Sequence, residues 1–184
     1  MTKKKLYLLG LLTLIGFPLL SIFIHYFTFS DSFLSLFSSE YSFYIEFLIG
    51  IATGWGIATI GWRIMCLNFM KKDLNKYLEL FSFKDLSFSV IFFVSISAGI
   101  GEEIFFRGVL QPFLGVVITG VLFVAIHGYI NPKNWRISIY GLYMTIGIIV
   151  IGVLTEKVGL ITAIISHTVI DITLLHKTKK ALKL

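Results

Sequence analysis

Residues 86–113 read LSFSVIFFVSISAGIGEEIFFRGVLQPF. The run is 28 residues long and carries charge only at Glu102, Glu103 and Arg107. A helix needs about 20 predominantly apolar residues to cross a bilayer, so this run is long enough to span one. Its three ionisable groups then lie within the hydrocarbon. Charged side chains at that depth are costly and face the protein interior or a water-filled cavity, which makes them functional candidates.

The rest of the chain agrees with a membrane reading. Of 184 residues, 57% are hydrophobic, 16% aromatic and 14% charged. Mean hydropathy is +0.89. Soluble domains carry about 45–50% apolar and about 25% charged residues, so a water-soluble globule is excluded. A disordered chain would be poor in apolar and aromatic residues, so disorder is excluded too. The net charge of +6 is dispersed in short clusters between apolar runs, which argues against nucleic-acid binding. Cys66 is the single cysteine, allows no intramolecular disulfide, and reads as a small core residue.

Six apolar runs have spanning character: about 6–29, 41–65, 86–113, 116–130 (a short one), 137–154 and 160–175. The expected fold is all-α, a polytopic integral membrane bundle of about six transmembrane helices in one domain. Positive loop charge marks the cytoplasmic side. With Lys3, Lys4 and Lys5 inside, 14 of the 16 basic residues fall on that side, and only Arg107 and Lys157 do not. Both termini are therefore expected in the cytoplasm. A five-span alternative, with a re-entrant fourth segment, would put the carboxyl-terminal lysines outside. The Lys-rich start followed by a long apolar run reads as a retained signal anchor rather than a cleaved signal peptide. Between residues 68 and 85, Leu74, Tyr77, Leu78 and Phe81 recur at helical spacing among Lys and Asp. That pattern predicts an amphipathic helix lying on the cytoplasmic surface.

Some ionisable groups sit within a turn or so of a span end, where they can reach the interface: His25, Glu46, Arg63 and His176. Others do not. Glu102, His127 and Asp171 each lie 11 residues from the outer end of their run, roughly 16 Å deep at 1.5 Å per residue. His167 is one turn outward of Asp171. Glu103 and Arg107 stand at i, i+4 in the favourable order for an ion pair. Glu102 points about 100° away from Glu103 around the axis, so one acid can be structural and the other chemical. Gly99, Gly101 and Gly108 flank the acidic turn and would permit close helix approach.

A carboxylate and an imidazole converging on one point can take a proton from water and return it to a leaving group. A second imidazole can stabilise an oxyanion. Glu102, His127 and His167 also form a possible zinc set with an open fourth position. Residue spacing alone leaves hydrolysis, a proton or ion pathway and a purely structural polar network all open. The transporter reading predicts an inverted repeat and broken helices, and the sequence shows neither.

Three motifs occur in order, each in its own apolar run. Glu102–Arg107 is EExxxR, Phe123–His127 is FxxxH, and His167–Asp171 is HxxxD. Together they resemble the CAAX protease and bacteriocin-processing enzyme family of intramembrane proteases, also labelled Abi, which includes the type II CAAX prenyl endopeptidases. The resemblance covers about residues 86–175, the expected catalytic core. Residues 1–85 add two amino-terminal spans and the amphipathic connection. The resemblance implies an intramembrane endopeptidase in which Glu102 activates water together with His127. His167 and Asp171 would hold the substrate carbonyl and its oxyanion, and Glu103 and Arg107 would form a supporting ion pair. It leaves two routes for water activation, a divalent metal such as zinc or Glu/His alone. Implied substrates are hydrophobic, lipid-modified or membrane-associated peptides, secreted peptide precursors among them. A non-catalytic immunity or partner protein is the alternative. In the family the last motif often ends in Asn. Asn can donate a hydrogen bond to an oxyanion, whereas ionised Asp171 cannot. HExxH, Gly-x-Ser-x and Gly-x-Gly-Asp signatures of other intramembrane proteases are absent. A small chain rich in Lys, Ile and Phe fits a bacterial plasma membrane.

Overall fold

The computed structural model describes residues 3–80 and 86–182. Among them all regular structure is helical. The helices are α1 (Lys3–Thr28), α2 (Phe43–Met65), α3 (Lys71–Leu80), α4 (Phe88–Phe105), α5 (Gln111–Ile126), α6 (Trp135–Lys157) and α7 (Leu160–Ala181). A π-helical turn, Phe106–Leu110, joins α4 to α5.

Five helical stretches are long and apolar enough to cross a membrane, and one of them, Phe88–Ile126, runs 39 residues. That stretch does not cross once. At Gly115 the backbone turns to φ 75°, ψ 165°, a conformation open to glycine and strained for other residues. Beyond it the chain runs back alongside itself. The Phe106 and Phe123 rings lie 4.9 Å apart, and His127 reaches Glu102. The bundle therefore has six arms, the return arm being the second half of one of those five stretches. The return arm is short, about 16 Å for residues 116–126. His127 caps the carboxyl end of α5, and residues 128–134 continue without helix. Non-helical backbone at membrane depth is tolerated only inside protein or beside a water-filled cavity.

Burial is the reverse of that in a soluble protein. Leu12, Leu19, Phe23, Leu48, Val117 and Leu142 are exposed, while Ser95, Ser97, Thr119, Thr162 and Ser166 are fully buried. Lipid is as apolar as leucine, so helix association there relies on close packing and small residues. α2 packs most extensively on α7. Its Gly50, Gly54 and Ala58 recur every four residues on that face. A Cβ at Gly54 would lie 2.3 Å from the Ser166 carbonyl oxygen, and one at Gly50 2.7 Å from Ile165 Cβ. The glycines around the acidic turn serve three contacts. Gly99 abuts Thr168 and the Ile164 carbonyl on α7, Gly101 abuts the Thr13 carbonyl on α1, and Gly108 abuts Leu36.

α3 forms as the spacing predicts, with Leu74 and Tyr77 packed against the apolar core; Phe81 lies outside the described residues. Three expectations near span ends are corrected. His25 is buried, because the following loop folds back: its ring stacks on Phe29 at 4.7 Å, and its Nε2 lies 3.0 Å from the Asp31 carbonyl oxygen. Glu46 is buried because it meets the amino terminus of α7, where Thr162 N–H donates to its Oε2 at 3.3 Å. Helix amino termini offer free N–H donors and partial positive charge to a carboxylate. Cys66 is exposed rather than core, since it falls just past the last turn of α2.

Candidate active site

The acidic turn of α4 points two ways. Glu103 is fully buried and faces α7, where its Oε1 lies 2.8 Å from His167 Nδ1. Its Oε2 lies 3.0 Å from Nε of Arg107, one turn on. The Arg107 contact is an ion pair off the hydrogen-bond direction, since none of the guanidinium nitrogens has an aligned acceptor. Arg107 also lies over the Phe123 ring, 5.4 Å from its centroid. Against an ionised carboxylate, His167 Nδ1 must carry the proton and donate it. That fixes the ring and leaves Nε2 facing Asp171, whose Oδ2 is 3.7 Å away.

Glu102 faces the return arm instead. Its Oε2 is 3.4 Å from His127 Nε2. On the far side of that ring, His127 Nδ1 lies 2.7 Å from the Phe123 carbonyl oxygen. A carbonyl only accepts, so Nδ1 carries a proton and donates. Nε2 is thereby the nitrogen directed at Glu102. Each imidazole is thus held from behind, one by a carboxylate and the other by a carbonyl, and each presents Nε2 to the same space. Such rear hydrogen bonds set which ring nitrogen is free for chemistry.

That space is a cavity of about 130 Å³. Glu102, His127, His167 and Asp171 all line it, so side chains from three separate arms of the bundle meet there. Glu103 and Arg107 lie behind its wall. The remaining lining is apolar or aromatic and includes Phe123, Tyr129, Tyr140, Met144 and Ile148. A cavity of this size has room for a water together with a peptide carbonyl.

Sequence reasoning missed several contributors. The His167–Glu103 bond joins residues 64 apart, and no local spacing reports it. Phe123, named in the FxxxH motif but given no role there, is the hub: its ring stacks under His127 at 4.4 Å, meets His167 edge-on at 5.5 Å, and carries Arg107 on its face. Tyr129 lies parallel to the His127 ring at 6.4 Å and meets Tyr140 edge-on at 5.3 Å. On α6 the one available signal was the row Tyr140, Met144, Ile148 at intervals of four.

The zinc set is less well supported by this arrangement. Among the described residues no three His, Cys, Asp or Glu side chains are placed to hold a metal ion. His167 Nδ1 is engaged by Glu103, while His167 Nε2 and His127 Nε2 each have a carboxylate opposite. The donors share the cavity, but each is engaged in its own pair rather than directed at one common centre.

Neither a curated protein nor a solved structure gives a significant match to the chain. A family model does match, over residues 84–173. That stretch runs from the start of the doubled-back arm to the end of the HxxxD motif and contains all the lining acids and imidazoles. The model it matches there is that of the Rce1-like type II CAAX prenyl endopeptidases.

Proposed function

We propose that the protein is an intramembrane endopeptidase that hydrolyses a peptide bond of a hydrophobic, lipidated or membrane-associated substrate with water activated by Glu102 and His127. The observation that supports this most directly is the shared cavity, where one acid and two pre-oriented imidazoles meet. The match to that family model over residues 84–173 supports a membrane-embedded protease acting on peptide.

The chemistry follows from the proton positions. A water between Glu102 and His127 gives a proton to the Glu102 carboxylate as its oxygen bonds to the substrate carbonyl carbon. The carbonyl π pair moves onto oxygen. In its doubly protonated form, His167 offers Nε2–H to that oxyanion, while Glu103 holds Nδ1–H and the ring in place. The tetrahedral intermediate then collapses, the C–N bond breaks, and Glu102 returns its proton to the leaving amine. Asp171 sits beside Nε2 and supports the imidazolium rather than donating to the oxyanion. Residues 86–175 form the catalytic core in this reading, and α1 and α2 seat α4 and α7. The loop charges favour a cytoplasmic position for both termini and for α3.

The test is cleavage of a fluorogenic lipidated-peptide library by the purified protein and by Glu102→Gln. Gln keeps the shape and hydrogen bonding but cannot take the proton. Cleavage by the wild type that disappears in a folded Glu102→Gln supports the reading. Undiminished cleavage by Glu102→Gln refutes it. No cleavage by either folded protein across a broad library favours the non-catalytic partner.

A further inference from the structure

A second concavity, of about 240 Å³, lies where α3 meets the start of α6, apart from the catalytic cavity. Lys72, Lys76, Lys133 and Arg136 surround it, with Asp73 and Asn134 in its wall and Trp135 at its rim. Among the described residues none of the four cations forms an ion pair with a carboxylate. Asp73 is buried and its Oδ1 accepts from the Asn134 side-chain amide, so it ties α3 to α6. Asn134 is also the N-cap of α6, so the first-turn amides of that helix add partial positive charge. The concavity therefore suits an anion.

Its surroundings say which kind. The Trp135 and Phe69 rings stack parallel, 3° apart in plane and 6.0 Å apart. Both are exposed. Exposed aromatic side chains of this kind mark the headgroup level of a membrane. From Trp135 an exposed apolar row, Ile139, Leu142 and Ile146, continues along α6 into the span. Charge above and an uninterrupted apolar track below match a two-part ligand. We propose that this is a binding site for an anionic phospholipid, its phosphate headgroup held by Lys72, Lys76, Lys133 and Arg136 and its acyl chain lying along Trp135, Ile139, Leu142 and Ile146. Basic pockets at the cytoplasmic ends of helices recognise such headgroups.

Native mass spectrometry of the full chain released from detergent tests this, with phosphatidylglycerol, phosphatidylcholine and inorganic phosphate as probes. The wild type should retain one phosphatidylglycerol at least about tenfold more tightly than phosphatidylcholine. Lys133→Gln/Arg136→Gln should weaken retention roughly 30-fold, at about fivefold per basic residue near an anionic surface. Lys177→Gln/Lys179→Gln, which removes equal charge from the same end of the bundle, should change retention less than about threefold. Equal retention of the two lipids overturns the proposal. So does an equal loss in both double variants, which would indicate diffuse attraction. Full displacement of phosphatidylglycerol by inorganic phosphate overturns the lipid assignment in favour of a free-phosphate site. If the first double variant does not fold, the lipid comparison and phosphate competition on the wild type still decide.

Discussion

Glu103→Gln is the substitution that most sharply separates the two adjacent acids. Glu103 is fully buried, with Arg107 Nε at 3.0 Å and His167 Nδ1 at 2.8 Å. At an effective dielectric of about 20, unit charges 3.0 Å apart attract by roughly 5.5 kcal/mol. Gln removes that attraction and leaves the Arg107 charge uncompensated in a buried site. Orphaning one member of a buried pair costs about 3–5 kcal/mol. The Gln carbonyl oxygen can still accept from His167, so the expected loss is near the lower figure, about 3 kcal/mol. Glu102→Gln should cost less than Glu103→Gln, because its side chain borders the cavity and its loss leaves no paired guanidinium uncompensated. The assay is reversible unfolding in mixed detergent micelles, followed by helical circular dichroism, with cleavage measured on the same samples. Glu102→Gln should be folded and inactive. Glu103→Gln should be both destabilised and impaired. A Glu103→Gln protein as stable as wild type would refute the buried ion-pair argument. A folded Glu103→Gln with full activity would refute the orienting role assigned to Glu103.

Other substitutions test the remaining parts of the site. Gly99→Ala places a Cβ 2.1 Å from Thr168 Oγ1 and 2.8 Å from the Ile164 carbonyl oxygen. It should cost about 1–3 kcal/mol and lower cleavage by pushing α4 from α7. Gly16→Ala, with nothing near its Cβ, should instead stabilise by about 0.5–1 kcal/mol in the same unfolding assay. Asp171→Asn exchanges support of the His167 imidazolium for a donor beside the oxyanion, so cleavage should fall far less than in Glu102→Gln; a loss as complete as that of Glu102→Gln would show that the charge of Asp171 is required. Cleavage should persist after exhaustive chelation and metal analysis, since each donor is engaged in its own pair. Loss on chelation with recovery on added zinc would contradict that geometry.

Much of the bundle was legible because its causes are local. Run length and hydropathy mark the crossings, and the turn near Gly115 falls between two apolar arms of one continuous helical stretch. The amphipathic α3 follows from the spacing of Leu74 and Tyr77. The ion pair of Glu103 with Arg107 follows from i, i+4 spacing. What was not legible depends on which helix lies beside which. The small-residue row Gly50, Gly54, Ala58 was visible as letters, but its partner α7 was not. His25, Glu46 and Cys66 show the weakness of judging burial by distance from a span end. A returning loop covers the first, a helix terminus covers the second, and the last turn of α2 stops short of the third.

The arrangement explains why two acids stand next to each other in a place where even one is costly. Successive residues on an α-helix diverge by about 100°, so a Glu-Glu pair addresses two neighbouring helices from one turn. Here Glu102 addresses His127 on the return arm and Glu103 addresses His167 on α7. Arg107 sits behind the second acid, not the first. The compensated carboxylate is thereby committed to holding an imidazole, while the acid facing the cavity keeps an oxygen for a proton from water. Exchanging the two roles would require His127 and His167 to exchange positions. The close approach at Gly99 and the Gly50–Gly54–Ala58 row prevent that by fixing α7 against both α4 and α2. The division of labour within the dipeptide thus depends on helix packing as well as on the acids themselves. Bulk added at Gly54, remote in sequence from every acid and imidazole of the site, should therefore impair cleavage by displacing the Ser166 carbonyl that immediately precedes His167.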